Sequence, residues 1–216
     1  MSKTLSDQRP RPRKAPRQAR SIDTVNVIVE AAARVLEQAG LGGFTTNAVA
    51  ARAGVSIGSL YQYFPCKDAL VGALIVRETS VLIEEAARAL QQPTGLEALS
   101  AMIHAAVRHQ LQRPSLARLL DIEEARLPFD ASTRSVTSRL HALLAEAIAR
   151  PDLPPQNTVP LAAYDVLSII KGMIDGAGER GEQDPEDLVR RVSRAVHGYL
   201  CHEASHLETG VVVSTT

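Results

Sequence analysis

FTTNAVAARAGVSIGSLYQYFPCKDAL, residues 44–70, is the stretch that decides the fold. Counting from Thr46, small or apolar residues fall at Val49, Ala50, Ala53, Val55, Leu60 and Tyr63, with Gly54 between the two groups. This spacing predicts two short helices joined by a tight turn. The first turns Val49, Ala50 and Ala53 inward as one stripe. Ala50 is small, as it must be if the second helix crosses close above it. Gly54 supplies a left-handed backbone that ends the first helix without a Cβ clash. Ser56 is placed to cap the second helix. The outward residues of that helix are Ser56, Ile57, Ser59, Tyr61 and Gln62. A helix laid in a DNA major groove needs such a mixture of small, hydroxyl and amide side chains. A helix corner in an all-helical enzyme uses similar spacing. Here the apolar stripe, the glycine, the cap and the LYQYF run all agree with a helix-turn-helix.

Read as GVSIGSLYQYFPCKDAL, the segment resembles the recognition region of TetR-type transcriptional repressors. The resemblance is dense over Asp23 to Leu70 and architectural beyond. It implies an all-α protein: an N-terminal three-helix helix-turn-helix domain, then a helical bundle for ligand binding and dimerisation. The expected limits are 1–20 for a basic arm, 21–70 for the DNA-binding domain, 71–208 for the bundle and 209–216 for a tail. Matching positions make Asn47, Ile57, Gly58, Ser59, Tyr61 and Gln62 the candidates facing bases. Thr45, Thr46, Tyr63 and Lys67 become the candidates facing phosphates. Gly58 departs from bulkier family choices; it costs helix propensity but lets backbone approach a base edge. The implied function is a repressor that binds a palindromic operator as a homodimer and is released by a small-molecule effector. Catalysis, a cofactor and a bound metal are not expected.

Composition bounds the same reading. The chain has 216 residues, 45% of them hydrophobic but only 3% aromatic, with no Trp. A core of Ala, Leu, Val and Ile suits packed helices. No run approaches the ~20 apolar residues of a membrane span, and MSKTLSDQRPRPRK lacks a signal peptide's apolar core. Cys66 and Cys201 make no disulfide framework. A cytoplasmic protein without a membrane partner is expected. Net charge is zero, yet residues 1–70 hold 10 Lys/Arg against 5 Asp/Glu, leaving the remainder acidic. The positive field lies where DNA would be.

In chain order, residues 1–20 carry seven Lys/Arg and three prolines. They read as a tail off DNA and as an arm along phosphates or a minor groove on it. Val25, Ile28, Val29, Ala32, Val35, Leu36 and Ala39 predict a helix over 22–39, stopped by Gly40. Phe44 is expected to anchor the small core beside Phe64. Pro65 breaks the chain, and a long helix runs from Lys67 to about Leu90. Further helices are expected over 96–111, 114–126, 131–149, 159–177 and 185–206, with Pro185 in a first turn.

The last two helices form the dimer interface in the family resembled. Gly172 and Gly176 share a helix face where a partner backbone could approach. Leu188, Val192, Ala195, Tyr199 and Leu200 supply an apolar stripe. Spacing alone does not separate that interface from an ordinary core contact. By resemblance the effector pocket lies within the fourth to eighth helices, with Met102, His104, Arg108, Glu123, Tyr164 and Met173 as candidate lining residues. A small, apolar or modestly polar molecule fits best.

One competing motif is His202-Glu203-Ala204-Ser205-His206, a literal H-E-x-x-H. A catalytic zinc needs a third protein ligand and an open position, and downstream only Glu208 is on offer. A polar end to the last helix explains it as well; a helical metal-dependent hydrolase is the alternative. Cys66 stands where the family pattern has Ser, Asn or Asp. It reads as a thiol sensor at a helix N-terminus or as a tolerated small residue.

Overall fold

The computed structural model describes residues 19–126 and 131–207, with side chains over 21–124, 126 and 135–202. It is all-α, with no strand among the described residues. The helices are α1 (Ala19–Gly43), α2 (Thr46–Ala53), α3 (Ile57–Tyr63), α4 (Lys67–Ala89), α5 (Gly95–Gln112), α6 (Pro114–Arg126), α7 (Ala131–Ile148), α8 (Val159–Glu179) and α9 (Pro185–Leu207). They divide between two compact units, Met1–Thr79 with Pro114–Val136, and Ser80–Arg113 with Thr137–Thr216. His206 lies in α9 and Glu208 beyond it; both side chains, like the basic arm and the 209–216 tail, fall outside the described residues.

The first unit is built on α1. Ile28, Ala32, Leu36 and Val35 recur at helical spacing and are all buried. The expected stop at Gly40 is instead a kink: Gly40 has φ 61 and ψ −171 inside one helical run. Only glycine holds that left-handed φ without strain, so the last turn of α1 is redirected rather than ended. Phe44 and Phe64 fill the centre of this core at 1% and 0% exposure, as their sequence positions suggest. The first part of α4 adds Leu70, Val71 and Leu74, and α6 adds Leu116 and Leu120. At about 1.5–3 kcal/mol for each fully buried large side chain, a few such residues decide whether so small a unit folds.

An ion cluster joins α4 to α6 within this unit. Arg126 reaches Asp68 at 2.9 Å and Glu123 at 2.6 Å. Glu123 is buried, so its charge depends on that partner. Conversely, the hydrogen bonds to Glu123 and then Asp68 raise the Arg126 pKa further above its already high range.

The second unit packs α5 against α8 and α9. Ala98, Ile103, Val166, Ile170, Leu188 and Leu200 are among its buried side chains. Two features fix how α5 begins. A Cβ at Gly95 would stand 2.6 Å from the Ala147 carbonyl oxygen, so the close approach of α7 demands glycine. Asp152 then accepts from the Gly95 and Leu96 amides at 2.8 and 3.0 Å. A carboxylate there satisfies orphan amides and complements the helix dipole. Arg150 does the reverse for carbonyls, donating to those of Leu90, Gln92 and Thr94.

A pH dependence follows. The amides of Gly95 and Leu96 hold the Asp152 pKa below the ordinary carboxylate range. Arg180, then Arg191, do the same for Glu182, and Arg191 does so for Asp187. A carboxylate whose folded pKa is depressed stabilises the fold above its unfolded value and loses that contribution as pH falls through the folded one. Thermal stability should therefore be flat near neutrality and fall below about pH 4. Asp152→Asn should be less stable at pH 7 and show a shallower acid loss. Melting curves of both proteins from pH 7 to 3 check this; an identical acid loss in the variant contradicts the role given to Asp152.

Candidate nucleic-acid interface

The caps expected at Gly54 and Ser56 are formed, and Thr45 adds a third. Thr45 caps α2 by accepting the Ala48 amide at 3.1 Å. Gly54 closes α2 with φ 69 and donates its amide to that helix's last carbonyls. The Val55 amide then donates to the Ala50 carbonyl at 3.1 Å, which draws the turn back against α2. Ser56 caps α3 by accepting from the Ser59 amide at 3.0 Å. Leu60 is fully buried on the inner face of α3. One buried leucine and the Ser56 cap thus fix which side of α3 faces out.

That outer side presents Ile57, Gly58, Tyr61 and Gln62, all exposed, with Ser59 half-buried beside them. Ile57 and Tyr61 keep 38% and 42% of their surface open. Large apolar groups left exposed on a short helix are a contact surface in waiting. A Cβ on Gly58 would meet only Ser56 Oγ, at an ordinary contact distance of 3.9 Å. Asn47, from the first turn of α2, is also exposed. The structure therefore brings all six candidates for base contact into the α2–α3 region.

The four candidates for phosphate contact are already engaged within the unit. The Thr45 hydroxyl oxygen serves the α2 cap. Thr46 Oγ1 pairs with the Tyr61 hydroxyl at 3.1 Å, linking the start of α2 to α3. The Tyr63 hydroxyl pairs with Ser21 Oγ at 3.2 Å. Lys67 Nζ donates to the Leu41 carbonyl at 3.1 Å and stands 5.4 Å from the Phe44 ring centre. These bonds hold the groups in place without exhausting them. An accepting hydroxyl keeps its proton, and an ammonium with one bond keeps two donors. Sequence reading missed the tyrosine and lysine bonds, because they join residues 15 to 42 apart in the chain.

The six candidates for a ligand pocket are not brought together. Met102 is buried in the second unit's core and Met173 packs at its edge. His104 is exposed, with Nδ1 2.7 Å from the Ser100 carbonyl oxygen. Arg108 is exposed and pairs with Glu85 at 3.0 Å. Tyr164 is exposed with its ring against His141, whose pKa is lowered by burial. Glu123 belongs to the other unit, where Arg126 holds it. The second unit instead has a cleft of about 420 Å³ between α5 and α9, whose walls include Leu96, Leu99, Ile103, Pro154, Arg194 and His197. The signal for it is the spacing of Leu96, Leu99 and Ile103 along one face of α5.

The stripe assigned to a dimer interface also needs correction. Leu188, Val192 and Leu200 are buried within the chain's own core, so they cannot meet a partner. Helical spacing marks a buried face but not which body buries it. Tyr199 is half-buried and donates to Asp165 at 2.7 Å, and Ala195 is half-buried. The glycines fare differently: Gly172 is exposed with open space over it, and Gly176 faces only the end of Arg180. On α8 the exposed Leu161 and Tyr164 stand along the same side as Gly172.

Cys66 is half-buried against the first core, and Cys201 lies 3.4 Å from His197 Nδ1 on α9. His202 is exposed on α9. Among the described residues there is no group of three or more metal-ligating side chains. No described helix is long and apolar enough to cross a membrane.

Comparison with known proteins places this geometry. Residues 28–74 match the family model for bacterial regulatory proteins of the tetR family, and residues 96–200 match the tetracyclin repressor-like C-terminal domain. The helix-turn-helix transcriptional regulator YobS of Bacillus subtilis, itself uncharacterised, is 23% identical over 82% of this chain and 91% of its own. A TetR-family regulator from Streptomyces coelicolor superposes with a TM-score of 0.64 at 22% identity, covering 83% of this chain and 98% of that one. The regulator FadR of Bacillus subtilis, solved in complex with stearoyl-CoA, superposes with a TM-score of 0.66 at 20% identity, covering 82% and 97%. With both halves matched by models of one family, and α3 capped and exposed as a reading helix must be, this chain belongs to the TetR family of DNA-binding transcriptional regulators.

Proposed function

We propose that the protein is a repressor that binds a palindromic operator as a homodimer and leaves it when a small molecule binds the second unit. The observation carrying this reading is the outer face of α3, where Ile57 and Tyr61 are exposed while Leu60 locks the helix beneath them. Ile57 offers an apolar contact to a thymine methyl, and Gln62 a bidentate amide for adenine. Asn47, Gly58, Ser59 and Tyr61 complete the base-facing set. Thr45, Thr46, Tyr63 and Lys67 position the unit on phosphates, which set register without reading sequence.

A single reading helix needs a second copy to gain affinity and to match the symmetry of a palindrome. The α8 face bearing Leu161, Tyr164 and Gly172 is the surface proposed for that copy, with Gly176, Ala195 and Tyr199 at its border. An exposed helical glycine with nothing above it costs about 1 kcal/mol relative to alanine, and close backbone approach by a partner is a reason to keep it. The division of labour is DNA binding by the first unit and ligand binding by the second, in the cytoplasm where DNA is found. Such coupling is reciprocal: an effector that releases operator must bind the operator-bound dimer less tightly by the same factor.

Selection of bound sites from random DNA tests the reading. A palindromic consensus, with half-sites about one helical turn apart or a multiple of it, is expected. Failure to enrich any sequence, or enrichment of an asymmetric single site, argues against the symmetric repressor.

Lys67 adds a narrower expectation. Lys67→Ala should weaken binding about equally for all sequences and reduce the salt slope by about one unit. It should also lower stability by about 1 kcal/mol, because the Leu41 carbonyl loses its donor. Anisotropy titrations across a salt series, with urea unfolding alongside, separate the two effects. An altered base preference would contradict the phosphate role.

A further inference from the structure

We infer that the α5–α9 cleft is the effector site, and that it takes a small amphiphile with an apolar body and one carboxylate. This deepens the ligand-release reading above and rests on it only for the consequence at DNA. The cleft measures about 420 Å³, within the range of small-molecule sites. Its α5 wall is apolar: Leu96, Leu99 and Ile103 at helical spacing, continued by Leu153 and Pro154. Leu96 keeps 52% of its surface open although it lies on this wall. An apolar ligand would cover it.

The α9 wall is different in kind. Arg194 and His197 line it one turn apart. The two other arginines of α9 are held by carboxylates: Arg191 by Asp187 and Glu182, and Arg190 by Asp187. Arg194 has no carboxylate within reach among the described residues and is exposed at the cleft. A guanidinium beside an apolar slot is complementary to a carboxylate carried on a hydrocarbon chain, which it can hold through two parallel hydrogen bonds. A cationic amphiphile would face repulsion at the same place, and a neutral alcohol would forgo the ion pair. The observations therefore select charge as well as apolarity.

The test is calorimetric titration of the full chain, without DNA, using decanoate, decanol and decyltrimethylammonium. One decanoate per chain is expected, bound about tenfold or more tightly than decanol, the equivalent of one charge-assisted contact. Arg194→Gln, a surface change that leaves the core untouched, should bring decanoate to the level of decanol. Ser100 also lies on the α5 wall, and Ser100→Trp, which fills the slot from that side, should abolish both. Equal affinity of wild type for decanoate and decanol overturns the inference, as does an unchanged decanoate affinity in Arg194→Gln or no decanoate binding at millimolar concentration. Operator binding measured separately keeps the readings apart. Decanoate that binds in the cleft without releasing operator leaves the site standing and defeats the release mechanism. Operator binding by a protein that ignores decanoate defeats the cleft assignment alone.

Discussion

Deleting residues 1–20 is expected to lower operator affinity by orders of magnitude at low salt while leaving the fold intact. The segment carries seven Lys/Arg against one acid, so a dimer would lose twelve net positive charges. Binding to duplex DNA releases condensed counterions, and the salt dependence scales with the phosphates neutralised at about 0.9 units of slope for each. If only a third of the arm charges contact phosphate, the slope of log affinity against log salt should still fall by about three to four units. The segment is rich in Lys, Arg and Pro and poor in apolar side chains, so it has little to add to a core and melting temperature should not move. Anisotropy titrations between 50 and 200 mM salt, a span over which six to ten phosphate contacts change affinity about 10³–10⁵-fold, provide the measurement. Parallel salt lines for the full-length and shortened proteins would remove the arm from the DNA contact.

Phe64→Ala should have the largest effect on stability. Phe64 is fully buried, sits immediately after α3 and packs in one core with Phe44, Leu60 and Leu70. Removing a buried phenylalanine ring costs about 3–5 kcal/mol, part of it for the cavity that remains. Few other aromatic rings are available to fill the gap, since the chain has only three phenylalanines and no tryptophan. The orientation of α3 depends on the same core, so DNA binding should fail before the second unit unfolds. Urea unfolding and operator binding of Phe64→Ala and Phe64→Leu check this together. Phe64→Leu should retain much of the stability, since less volume is removed. A loss below about 1 kcal/mol for Phe64→Ala would contradict the central place given to this ring.

How much of this was legible in sequence depends on the range of the interaction. Gly54 and Ser56 act on residues within four positions, and their roles follow from the string itself. The helices were legible too, because each carries a 3.6-residue apolar period between capping or proline signals. Gly40 was half legible: a glycine at that point signals a break, but not that helix resumes beyond it. The side-chain bonds of Tyr61, Tyr63 and Lys67 were not legible, since each depends on how helices pack. Leu188, Val192 and Leu200 show the limit most plainly. Their period marks a buried face, yet the burial is by α5 and α8 of the same chain. Of the cleft only the α5 wall was legible, as the spacing of Leu96, Leu99 and Ile103; no local pattern joins it to α9 and residues 153–154.

The claim that α3 reads bases is tested most directly by comparing specificity, not affinity, in Ile57→Ala. Starting from a selected operator, each base pair is changed singly and binding is measured for wild type and variant. Ile57→Ala is predicted to relax discrimination by about 1–3 kcal/mol at one symmetric pair of positions, where a thymine methyl is preferred. Elsewhere the two profiles should coincide. Uniform weakening across all positions, with every base preference retained, would contradict a reading role for the outer face of α3.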